Sequence, residues 1–241
     1  MKRLLAVVVA ALVLPASVSG ATQLTVFAAA SLTDVFVRIG GPERYSFAGS
    51  DQLALQIRQG APADVFAAAS PKYTQLLYRD GLVLKPVVFA TNKLIVLVPR
   101  SNPGKIKSVY DLRRPGLKVV VGDSTVPIGI YTRQILDTLG ITADVAKNVV
   151  SQETDVKGIV SKIAFGEADA GFVYRTDARP VASSTRAVAL PAWAQPPIRY
   201  ELAVVKASKH RAAARAFVAK VLAKRGRLLL ARAGFGLPNR P

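Results

Sequence analysis

Cysteine is missing from all 241 residues. Its absence excludes disulfides, thiol nucleophiles and cysteine-bound metals. It also excludes a lipid anchor, which needs a cysteine at the cleavage point. Histidine occurs once, as His210. A serine nucleophile needs a base beside it, and His210 lies far along the chain from the two serines singled out below. In its basic stretch it reads as a solvated surface residue. No metal-ligand cluster and no phosphate-binding P-loop is present. Catalysis is therefore not expected, nor is a cation site.

Long apolar runs are missing everywhere except at the start. Lys2 and Arg3 precede Leu4–Leu14, Pro15 breaks the run, and small residues follow through Ser19, Gly20 and Ala21. At about 11 residues this run is too short to span a bilayer as a helix. Residues 1–20 are expected to be a secretory signal peptide cleaved after Gly20 or Ala21. The mature chain is then free and soluble outside the inner membrane.

Acid is scarce. Fifteen Asp and Glu face 33 Lys and Arg, a formal charge of +18, or +16 without Lys2 and Arg3. From Leu202 to Pro241 there is no acid and there are ten bases. Charge alone would suggest nucleic acid, but secretion argues against it. Ala213, Phe217, Val221 and Leu222 give that segment a core-facing helical stripe, so the bases form a solvated face. A positive field of this size favours an anionic ligand by steering.

What the chain has in quantity is one repeated construction. Leu24–Ala28 is apolar and β-prone, Ala29 and Ala30 are small, and Ser31 reads as a helix N-cap answered by Asp34 in a shortened capping box. Arg44–Phe47, Ala48-Gly49-Ser50 and a helix bearing Leu53, Leu55 and Ile57 repeat the pattern. Leu117–Val121 leads to Val126-Pro127-Ile128-Gly129, where Pro127 suits a first helical turn. Asn148–Val150 leads to Asp155, which reads as an N-cap, and to Val156. Further strands are expected at 61–69, 93–99, 168–177, 188–190 and 200–205. Further helices are expected at 72–80, 108–113 and 211–225. Asp64, with no acid or histidine near it, reads as a pin for its loop.

Alternating strands and helices indicate an α/β fold with parallel sheets. Roughly ten strands are too many for one small sheet, so two lobes are expected, with a ligand in the cleft at the carboxyl ends of the strands. Ser31, Ser50, Ile128, Val156 and Tyr174 all fall at strand ends or helix starts. Helix-start amides with the dipole behind them form anion sites.

The chain resembles the periplasmic molybdate-binding proteins of ABC transporters. The segments that carry the resemblance are Val26–Thr33, Phe47–Ser50, Gln59–Phe66, Gly122-Asp123, Val126–Tyr131, Asp155–Gly158 and Gly166–Tyr174. The resemblance implies a type II periplasmic binding-protein fold, each lobe a mostly parallel sheet flanked by helices. Lobe 1 would comprise 22–91 and 200–241, and lobe 2 would comprise 92–199, with hinge crossings near 88–95 and 196–203. It implies capture of molybdate or tungstate by neutral donors: Ser31 and Ser50 through hydroxyl and amide, Ile128 and Val156 through backbone N–H, and Tyr174 through its hydroxyl. Sulfate or another tetrahedral or organic anion is the alternative ligand. No cofactor is implied. The partner would be a membrane permease, and the protein would act in the periplasm as a monomer without nucleic acid. Ile128 stands where the family has alanine, the Ser31–Phe47 segment and the Gly122–Pro127 turn are short, and Tyr200-Glu201-Leu202 lacks a proline after the tyrosine.

Overall fold

The computed structural model describes residues 23–238. The expected signal peptide lies outside the described residues. Within them the chain forms β1 (Thr25–Ala29), a 3-10 turn (Ala30–Leu32), α1 (Thr33–Ile39), β2 (Arg44–Ala48), α2 (Ser50–Arg58), β3 (Val65–Ala68), α3 (Pro71–Arg79) and β4 (Val87–Asn92). It continues through β5 (Leu94–Pro99), a 3-10 helix (Val109–Arg113), β6 (Val119–Gly122), α4 (Pro127–Leu139), α5 (Thr142–Ala146), β7 (Val149–Glu153), α6 (Val156–Ala164), β8 (Ala170–Tyr174) and β9 (Thr185–Ala189). A 3-10 turn (Ala192–Ala194), β10 (Ile198–Val204), α7 (Arg211–Leu222) and α8 (Lys224–Ala233) complete it.

Two five-stranded sheets result, in the orders β2-β1-β3-β10-β4 and β7-β6-β8-β5-β9. The expectation of mostly parallel sheets holds by strand direction: four of the five strands in each sheet run the same way. β2-β1-β3 and β7-β6-β8 are parallel, but β10 runs antiparallel to β3 and β4, and β5 runs antiparallel to β8 and β9. Each sheet is mixed through one reversed strand, β10 in the first and β5 in the second, and each of these adjoins a crossing. Register decides what emerges where. Ala29 pairs with Ala48, so Ser31 and Ser50, each two residues further on, leave the first sheet at one edge. Gly122 pairs with Glu153, which brings the starts of α4 and α6 to one edge of the second.

The apolar runs account for the core. β3, β5 and β8 are buried along their whole length, as strands covered on both faces must be. Phe36 of α1 meets Phe89 of β4 and Phe217 of α7 at ring-centroid distances of 5.7 and 5.9 Å, which fastens the helical layer to the first sheet. Asp64 pins its loop as expected. Its Oδ2 accepts from Thr25 N at 2.8 Å and its Oδ1 from Ser208 Oγ at 2.6 Å. Leu55, expected to share the apolar face of α2, is 52% exposed, while Leu53 and Ile57 are buried.

The expected helix over 211–225 is two helices. Ala223 has extended backbone (ψ 163°) and serves as the C-cap of α7 and the N-cap of α8. The chain passes from the first sheet to the second through a single residue, Lys93, between β4 and β5. It returns through residues 190–197. Gln195 ties the two crossings together: its Oε1 accepts from Leu94 N at 3.0 Å and its Nε2 donates to Leu94 O at 2.7 Å.

Candidate functional site

A small cavity of about 20 Å³ lies between the two sheets. Ser31, Ser50, Ile128, Val156 and Tyr174 all line it, with Ala29, Ala30, Ala48, Gly49, Ala69, Val126, Pro127 and Asp155. The structure thus brings all five residues singled out from the sequence to one place, two from the first sheet's edge and three from the second's. The small residues keep side chains out of the space. Neither lysine nor arginine lines it.

Ser31 does not cap a helix. The cap position of its 3-10 turn is Ala29, with no side-chain cap bond, and Asp34 faces Lys157 at 3.1 Å instead of closing a capping box. The Ser31 hydroxyl is claimed from far away, by Tyr200 OH at 3.0 Å. Asn92 Nδ2 donates to Tyr200 OH at 3.4 Å and to Thr176 Oγ1 at 3.0 Å. An amide nitrogen only donates, so Tyr200, accepting from Asn92, can pass its own proton to Ser31 Oγ. The Ser31 proton is then free to point into the cavity. Ser50 Oγ accepts from Ala69 N at 3.1 Å, which leaves its proton free in the same way. Tyr174 OH is buried without a hydrogen-bond partner among the described residues. Burial pushes both Tyr174 and Tyr200 well above the ordinary tyrosine value, so both remain neutral O–H donors.

The helix starts supply backbone donors. Ser50, Ile128 and Val156 occupy the first two positions of α2, α4 and α6, where no intrahelical carbonyl is within reach of the N–H. In α6 the expected N-cap is present: Asp155 Oδ1 accepts from Lys157 N at 2.7 Å and Gly158 N at 3.3 Å. Those two amides are satisfied, and Val156 N is left. Ile128, larger than alanine, is accommodated at Gly122: a Cβ there would lie 2.6 Å from Ile128 Cγ2.

Contacts between the two sides cross the gap beside the cavity. A Cβ on Gly49 would lie 2.6 Å from Thr154 O and 3.3 Å from Val126 Cγ1 on the opposite side. Thr125 Oγ1 donates to Asp51 Oδ2 at 2.9 Å, and Tyr73 OH donates to Thr125 O. Lys157 Nζ lies 3.1 Å from Asp34 Oδ2 across the gap and 3.5 Å from Asp177 Oδ1 on its own side. Asp177 is fully buried, and desolvation, only partly offset by Lys157, pushes its carboxyl up to about 7. Sequence reading did not assign roles to Asn92, Tyr200, Lys157 or Asp177. Tyr200 carried a signal, as an isolated aromatic at a crossing strand; the others act over separations that no local pattern reveals. Among the described residues no cluster of His, Asp or Glu could hold a cation. No helix there is long and apolar enough to cross a membrane.

Two mixed α/β sheets with a donor-lined cavity between them define a two-lobed binding-protein fold. The chain belongs to the bacterial extracellular solute-binding protein family, whose sequence profile matches residues 24–236. It is 42% identical over 229 residues to the molybdate-binding protein ModA of Mycobacterium tuberculosis strain H37Rv, covering 91% of this chain and 86% of that one. It is 32% identical over 209 residues to the molybdate-binding protein ModA of Haemophilus influenzae, covering 79% and 81%. In fold it is similar to the periplasmic molybdate-binding protein of Azotobacter vinelandii, with a TM-score of 0.79, 23% identity and coverage of 90% and 100%.

Proposed function

We propose that the protein captures molybdate, and tungstate with it, and hands it to the membrane permease of an ABC transporter. The observation that carries this reading is the cavity itself, lined by free hydroxyl protons and helix-start amides from both sheets and by no cation. Relatives bearing the molybdate-binding name at 42% and 32% identity support it. In this reading Ser31, Ser50 and Tyr174 donate O–H, and Ser50, Ile128 and Val156 donate N–H, to the oxyanion. Hydrogen bonds to a charged group are worth about 1.5–3 kcal/mol each, and helix dipoles add to them. Such a cage accepts a fully deprotonated tetrahedral anion. It meets the O–H of a protonated phosphate with a second proton. Sulfate is set apart by size.

Residues 22–91 with 200–241 form one lobe in this proposal and 92–199 the other, turning about the crossings near 88–95 and 196–203. The loaded, closed form acts in the periplasm as a monomer and docks on the permease. Isothermal titration of mature protein with molybdate, tungstate and sulfate tests the cargo. Tight one-to-one binding of the first two, with sulfate weak, is the expected result. Sulfate binding equally tightly, or no oxyanion binding at all, overturns it.

A further inference from the structure

A second concavity of about 180 Å³ opens against the back of Ser31. Three arginines from three parts of the chain line it: Arg38 of α1, Arg179 in the turn after β8 and Arg232 of α8. Thr176 and Asp34 complete its polar wall. Asp34 is already engaged by Lys157 at 3.1 Å. Arg179 Nη1 donates to Arg232 O at 2.5 Å, which fixes one guanidinium at the rim. The side chains of Arg38 and Arg232 have no ion pair or hydrogen bond among the described residues. Guanidinium groups gathered round one concavity repel one another, and the single carboxylate on the wall is spoken for. An anion placed among them relieves that repulsion and can be held bidentately. The space is several times the volume of a water molecule, about 30 Å³ in the liquid.

We propose that this crevice is a second, weaker oxyanion site, a landing place for divalent tetrahedral anions that shares Ser31 with the inner cavity. Its use as a way station rests on the cargo proposed above; its existence as an anion site does not. Exposed cations hold an anion loosely and raise its local concentration, which increases association rate more than affinity. The shared chemistry is that of a small divalent oxyanion, whether the cargo or free sulfate.

The test uses the mature chain at low ionic strength and slightly acid pH. The side-chain Nε–Hε resonances of the arginines are followed during titration with tungstate and, separately, with sulfate, and are assigned by R38Q, R179Q and R232Q. The Arg38 and Arg232 signals are expected to shift along a saturating curve with both anions, in wild type and in a Ser50→Ala/Tyr174→Phe protein that lacks inner-cavity donors. Saturation with tungstate alone identifies a cargo-specific site, and saturation with both identifies a general one. Signals that do not move, or that move no more than that of the exposed Arg79, overturn the proposal. In stopped flow, R38Q/R232Q is expected to slow tungstate association about 3- to 10-fold at low salt with dissociation unchanged; an unchanged association rate overturns the way-station role. Inner-cavity binding with silent arginines refutes the crevice alone. Responding arginines without tight binding refute the cargo reading alone.

Discussion

The inner cavity and the arginine crevice touch the same serine and meet a negative charge in opposite ways. The cavity presents hydroxyls and amides and no cation, whereas the crevice presents three guanidinium groups. A mobile cation attracts any anion of the right charge, because its field is nearly the same in all directions. Fixed O–H and N–H groups accept only an anion whose oxygens fall where the protons point. In the proposed reading the contrast separates two tasks: outer charge governs arrival, and inner geometry governs selection.

The most severe break in that contrast is removal of inner donors. Ser31→Ala with Tyr174→Phe deletes two buried hydroxyls and is expected to weaken molybdate binding at least about 100-fold, from roughly 1.5 kcal/mol or more per bond. Titration calorimetry measures it, and unaltered affinity would refute the site assignment. Gly49→Ala leaves every donor in place but sets a methyl group 2.6 Å from Thr154 O across the gap. Overpacking of this kind costs about 1–3 kcal/mol. An affinity loss of about 10-fold is expected, with small-angle scattering showing a more open loaded form than wild type.

A third test concerns Asp177, the buried acid beside Lys157. The carboxyl of Asp177 is raised to about 7 in the folded protein and lies near 4 in an unfolded chain. Between those values the folded state holds the extra proton, so stability is greatest on the acid side of the window and falls as pH rises from about 4 to about 7. Melting temperatures across that range should fall in wild type by several degrees and stay flatter in Asp177→Asn. A Tm profile that Asp177→Asn leaves unchanged contradicts the assignment. The smallest effect is expected from Asp34→Asn, which removes one partner of a half-exposed ion pair with Lys157. Such pairs contribute about 0.2–1 kcal/mol, so affinity should drop less than about 5-fold, and the difference should vanish in high salt.

Much of this site is legible in the sequence because its construction is local. A strand ending in small residues and turning into a helix leaves a recognisable string, and Ser50, Ile128 and Val156 are found that way. Asp155 was readable as a cap for the same reason. Ser31 lines the cavity but caps no helix. Its string reads as an N-cap, but its hydroxyl is claimed by Tyr200, 169 residues away. Asn92 and Lys157 are invisible for the same reason, since each matters through partners on distant segments. In the fold, the alternation of strands and helices gives the class, whereas the antiparallel strands follow from tertiary routing. α5 is short and unpatterned. The break at Ala223 carries no proline or glycine at the residue itself, and only packing reveals it.

Gln195 clamps Leu94 beside the one-residue passage at Lys93. Two threads that cross from sheet to sheet side by side define a line. If the lobes turn there as proposed, nearly every other rigid-body freedom is removed: they cannot slide past one another or separate, and what remains is close to rotation about that line. Bringing Ser31 and Ser50 up to Ile128, Val156 and Tyr174 then becomes a search in one coordinate rather than six.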